Sequence, residues 1–195
     1  MLNSRRWRSA AGVTMIEMFA TLFVLTIVLA LGMPVMAHWI HQWDIRSGAE
    51  SLRSALQRAR AEAIARNTKI AIRLGNSVGF PEWRIACVTV TTLCPANLHS
   101  YTASAGNRLR WGAAGTAAAS DLSVALVAGA SLPGGVEFHP LGDAPRIISG
   151  SDIARIDVFH PNDELAGRLV IRIDSAGNVA ICDPALPVSD SRGCH

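Results

Sequence analysis

Two periodicities fill the first third of the chain. Residues 18–37 are twenty in a row without a charge. As a helix they reach ~30 Å, about the hydrocarbon core of one bilayer. Farther on, Ile45, Ala49, Leu52, Leu56, Ala59 and Ala63 recur at steps of four and three. That spacing makes a narrow apolar stripe suited to packing on a sheet. Arg46, Arg53, Arg58, Arg60, Glu62 and Arg66 mostly lie off the stripe, and Glu62 stands four residues from both Arg58 and Arg66. Together the two patterns predict one helix over 14–66, ~80 Å long, whose second half must leave the membrane. Pro34 lacks an N–H and its ring opposes the carbonyl of Ala30, with Gly32 close by. A kink or local melting is expected there.

Beyond Asn67, a residue suited to a helix C-cap, the period drops to two. Ile70, Ile72 and Leu74 alternate with Lys69, Ala71 and Arg73. Gly75, Asn76, Gly79 and Pro81 predict a turn, and 83–90 a second strand. Residues 91–120 are small and polar and read as a loop. Short strands are expected at 122–127, 136–138, 153–160, 168–174 and 179–182, separated by Pro133-Gly134-Gly135, Pro161-Asn162-Asp163 and Ser175-Ala176-Gly177-Asn178. A long helix followed by antiparallel strands is an α+β fold, with the stripe covering one sheet face. Four segments result: 1–12, a membrane half of the helix at 13–37, an amphipathic half at 38–67, and a β-rich domain at 68–195.

Charge sharpens the picture. The net charge is +3 at pH 7. Arg5, Arg6 and Arg8 account for all of it, because the rest carries equal numbers of basic and acidic residues. Bulk electrostatics therefore do not favour nucleic acid. Arginines ahead of a span stay cytoplasmic, which places everything after residue 37 in the periplasm. Trp39 and Trp43 share a helix face at the end of the span, as an interfacial belt would. A secretory signal peptide fits poorly, since the apolar segment is long, carries Glu17 near its start and lacks a small-x-small ending.

Gly12 followed by Val13-Thr14-Met15-Ile16-Glu17 and an apolar run resembles the type III signal of type IV pilins and type II secretion pseudopilins, which usually read Gly-Phe-Thr-Leu-Ile-Glu. The Gly, Thr, Ile and Glu stand at the family spacing, and Val13 replaces the usual Phe. Residues 57–67, QRARAEAIARN, are similar to the end of the long helix in the GspH/FimT branch. The resemblance implies cleavage between Gly12 and Val13, N-methylation of Val13, and a helix kink near Gly32 and Pro34. It also implies that Glu17 meets the N-terminal amine of a neighbouring subunit during assembly. The implied partners are other pilins or pseudopilins, a prepilin peptidase/methyltransferase, an inner-membrane assembly platform and the lipid bilayer.

Four cysteines lie beyond the span, in a compartment that permits disulfides. Of three possible pairings the local one is expected, Cys87 with Cys94 and Cys182 with Cys194. Loops of 8 and 13 residues would each stabilise the fold by ~2.5–3 kcal/mol. No C-x-x-C is present, and His38 and His41 have no third ligand near them in sequence, so no metal is expected. Neither a nucleophile elbow nor a phosphate-binding loop is present. The chain reads as a structural subunit without a cofactor and not as an enzyme.

DNA-uptake pilins of the FimT type resemble one another in a Gly-Arg-x-Arg motif near the tail. Here the stretch is Gly177-Asn178-Val179-Ala180, with both arginines missing. Arg168, Arg172 and Arg192 lie nearby outside the motif. They are the candidate DNA contacts, although nucleic acid is not expected as a partner. The reading is a minor pilin contributing to type IV pilus assembly or tip structure. The alternatives are a minor pseudopilin of a type II secretion system and a DNA-binding uptake pilin.

Overall fold

A computed structural model describes residues 13–77, 80–103, 108–115, 121–144 and 153–194. Internal contacts divide the chain into two units, Met1–Ala37 and His38–His195. The leader and Gly12 lie outside the described residues.

One helix, α1, runs Met15–Arg66. Thr14 is its N-cap: the Glu17 N–H donates to Thr14 Oγ1 at 3.4 Å. Helical structure continues without a break through Gly32 and Pro34. The far end closes where Asn67 takes a φ of 49°. There the Thr68 N–H donates to the Ala63 carbonyl and the Asn67 N–H to that of Ile64, which is the Schellman arrangement.

Among the described residues the strands are β1 Ile70–Ser77, β2 Phe80–Cys87, β3 His99–Thr102, β4 Arg110–Gly115, β5 Gly134–Phe138, β6 Ile153–Phe159, β7 Arg168–Ile173 and β8 Val179–Cys182. They form two four-stranded sheets, ordered β3-β2-β1-β5 and β4-β6-β7-β8. The pairings between these strands are antiparallel. The architecture is α+β, as the change of period after Asn67 predicts.

One apolar core joins the second half of α1 to both sheets. All six residues of the stripe are buried, with Ala55 added. Leu52 and Leu56 are fully buried and contribute about 1.5–3 kcal/mol each. In the first sheet they join Ile70, Ile72, Leu74, Ile85 and Phe138. In the second they join Trp111, Ile156, Val158 and Ile171. Trp111 also donates its indole N–H to the Gly75 carbonyl at 3.3 Å, tying β4 to β1.

Several sequence expectations need correction. Gly75 and Asn76 lie within β1 and Pro81 within β2, so the turn is shorter than expected; Gly79 lies outside the described residues. Strand β2 stops at Cys87. The stretch 91–120 holds two strands, β3 and β4. Residues 122–127, expected as a strand, pair with none. They form a strap over the second sheet, bound by side chains. Gly112 of β4 is what lets the strap lie close, since a Cβ there would meet the Val127 carbonyl oxygen at 2.3 Å.

Candidate functional site

Two regions carry the candidate residues, and each is built by a different part of the chain. The first is the head of α1. Its window Met15–Gly32 is long and apolar enough to cross a membrane, and none of it is buried within the fold. Val13 is 74 % exposed. Thr14-Met15-Ile16-Glu17 has the S/T-x-x-E spacing of a capping box, which fixes the helix start three residues before the acid. Glu17 therefore sits in the first helical turn, where the partial positive charge of the helix N-terminus favours a carboxylate. Cleavage after Gly12 would leave the α-amine of Val13 about one turn from this acid.

The second region lies in 38–195. On the outer face of β6, Arg155 and Asp157 are buried, their side chains 1 % and 0 % exposed. Arg155 donates to Asp157 from Nε and Nη2, both at 2.7 Å. Arg168 of β7, its side chain 14 % exposed, pairs with the same carboxylate. The Leu126 N–H donates to it at 3.1 Å. The remaining guanidinium N–H groups hold the strap: Arg155 donates to the carbonyls of Asp121 and Val124, and Arg168 to that of Leu122. Burying these charges is tolerable because one carboxylate accepts from both guanidiniums and the backbone takes the rest.

This places the three candidate DNA contacts. Arg168 is committed to Asp157. Arg192 pairs with Asp190 at 3.1 Å in the loop closed by Cys182–Cys194. Arg172 is exposed on β7, opposite Arg155 and Ala180 in register. The stretch Gly177-Asn178-Val179-Ala180 forms a turn entering β8. Asp174 accepts from the Asn178 N–H and from its side-chain amide, both at 2.8 Å. Arg60 of α1 reaches the same turn, donating to the Ala176 carbonyl at 3.1 Å. Another residue of the basic helix face, Arg66, is held by Glu62 at 2.6 Å and by the Leu93 carbonyl. Several of the cations that phosphate would need are thus engaged within the domain.

The cysteines pair locally, Cys87 with Cys94 and Cys182 with Cys194. The first bond pins the segment after β2, and the second closes the tail.

Sequence reasoning missed two groups. Arg155 and Asp157 were signalled by two charges standing i, i+2 inside an apolar strand. The other group joins His38 and His41 to Asp163, whose Oδ2 accepts from both Nδ1 atoms, at 3.2 and 2.8 Å. Its signal was a second i, i+3 pair, His160 and Asp163, in the turn after β6. Among the described residues no group of three or more His, Cys, Asp or Glu is arranged to hold a metal ion.

Among solved structures, the type IV minor pilin FimU of Pseudomonas aeruginosa aligns in two crystal forms. Each is 18 % identical; they cover 77 % and 80 % of this chain and 99 % of their own, with TM-scores of 0.44 and 0.48. The minor pseudopilin EpsH of the Vibrio cholerae Type 2 Secretion System is 11 % identical, covers 73 % of this chain and 99 % of its own, and has a TM-score of 0.48. No curated protein matches the chain. The family model described as type II transport protein GspH matches residues 48–184, from the amphipathic half of α1 to the start of the tail loop. That is more than half of the sequence, and the chain belongs to the GspH family of pilin-like proteins.

Proposed function

We propose that this chain is a minor pilin, a structural subunit held in the inner membrane by α1, with residues 38–195 in the periplasm. A prepilin peptidase/methyltransferase cuts after Gly12 and methylates Val13. An inner-membrane assembly platform then adds the subunit to a type IV pilus, at or near its tip, beside other pilins. One observation carries the reading: Glu17 lies in the first turn of a helix capped by Thr14, at the head of an apolar span with no burial inside the fold. A carboxylate entering a bilayer costs roughly 2.5–3.5 kcal/mol at the helix centre, less near the interface. The amine of a neighbouring subunit offsets that cost and sets the register of addition. The internal pairing of Arg168 and Arg192 supports a subunit that does not take up DNA. The same parts serve a type II secretion pseudopilus, and the description of the matching family favours that second reading.

Glu17→Ala separates assembly from insertion. The variant is expected in membranes at the wild-type level, cleaved, and lost from sheared filaments. Normal recovery in filaments at equal expression would remove Glu17 from the mechanism.

A further inference from the structure

Three histidines and one aspartate meet where the first periplasmic turns of α1 touch the turn after β6. Asp163 Oδ2 accepts from Nδ1 of both His38 and His41. The Asp163 Oδ1 atom accepts from the Ala166 N–H at 3.0 Å, holding the turn closed. The Gln42 side-chain amide donates to Nε2 of His38 at 3.1 Å. His41 stacks on His160, with ring centroids 3.8 Å apart and planes within 15°. His160 is 2 % exposed, and neither of its ring nitrogens has a hydrogen-bond partner.

We propose that this cluster is a proton-operated latch: it ties α1 to the turn after β6 while the His160 ring is neutral, and it releases that turn when acid charges that ring. The geometry leaves little room for charge. A proton on His160 would find no partner. The ring would become a buried cation, with no acceptor for either N–H and its face against His41.

The other charges nearby do not rescue it. Burial, then His41, hold His160 below its ordinary value of 6.5, and Arg108 pushes the same way; Asp163 and, from α1, Asp44 act in the opposite direction. Asp163 is held down to about 2, first by the hydrogen bond from His41 and then by that from His38, so it stays charged throughout the range in which histidines titrate. Asp163 is already engaged by His38 and His41 and bonds neither nitrogen of His160. As pH falls from 7.5 to 5 the His41–His160 stack is the contact that must open.

Spin labels read this directly. Arg46 on α1 and Asn162 in the turn are both exposed, and the four native cysteines are disulfide-bonded. Nitroxides are placed on R46C and N162C in the full-length protein in detergent micelles. Pulsed dipolar spectroscopy at pH 7.5 should give one narrow distance, and at pH 5 a second, longer population. His160→Phe keeps a stacking ring that cannot take a proton, so its distribution should be the same at both pH values. Asp163→Asn, which keeps the shape and loses the charge, should show the longer population already at pH 7.5. A wild-type distribution unchanged between pH 7.5 and 5 overturns the proposal. So does an equal shift in His160→Phe, or an Asp163→Asn protein that stays closed at both.

Discussion

Removing one carboxylate should unfasten the strap and much of the second sheet. Asp157 is fully buried and accepts from Arg155, from Arg168 and from the Leu126 N–H. Asp157→Ala leaves the Arg155 guanidinium, 1 % exposed, without its counter-ion. Breaking a buried pair from one side costs about 3–5 kcal/mol, because the remaining charge stays desolvated. That is a large share of the 5–15 kcal/mol typical of a folded domain. For a domain of this size each kcal/mol lowers Tm by about 2–4 °C, so a fall of roughly 6–20 °C is expected. The internal control is Asp190→Ala. Its partner Arg192 has a side chain 68 % exposed, and a surface pair contributes about 0–1 kcal/mol. The assay is thermal unfolding of full-length protein in micelles, followed by tryptophan fluorescence, which reports on Trp111 in the core. Hydrogen exchange at the Leu126 amide should rise first, since that group loses its acceptor. An Asp157→Ala protein no less stable than Asp190→Ala would show that the network contributes no more than a surface pair.

Two further outcomes follow from charge. Glu62, held below its ordinary 4.5 first by the hydrogen bond from Arg66, contributes stability that is present above that value and lost as pH falls below it; Glu62→Gln should flatten that limb of a Tm-against-pH curve, and an unchanged limb would contradict it. The full-length protein in neutral micelles should bind duplex DNA weakly near physiological salt, and micromolar binding with a steep salt slope in a mobility shift, lost on replacing Arg168, Arg172 and Arg192, would reverse that expectation.

How far the fold is legible depends on how each element meets its neighbours. The stripe from Ile45 to Ala63 is plain because one face of a long helix meets one core and the other meets water. Strand β1 is plain for a similar reason, with Ile70, Ile72 and Leu74 buried while Lys69 and Arg73 are exposed. Strand β4 is hidden because both of its faces are covered. Trp111, Gly112, Ala113 and Ala114 are all buried, so small residues replace alternation. Strand β3 is hidden because it is a short polar edge, mostly exposed. The strap misleads in the opposite way. Leu122, Val124 and Leu126 alternate as a strand would, yet the backbone of this stretch is bound by guanidinium groups and a carboxylate. Pairs far apart in sequence, such as His41 with Asp163, follow from topology and leave only a spacing as their trace.

The central claim concerns the head of α1, and the mature N-terminus tests it most directly. Protein taken from membranes, analysed intact and after digestion by mass spectrometry, should begin at Val13 and carry one methyl group on its α-amine. Gly12→Glu should leave the full-length precursor in the same membranes. A wild-type protein that begins at Met1, or one cut near Ala37, would contradict the assignment of the apolar segment as a pilin helix.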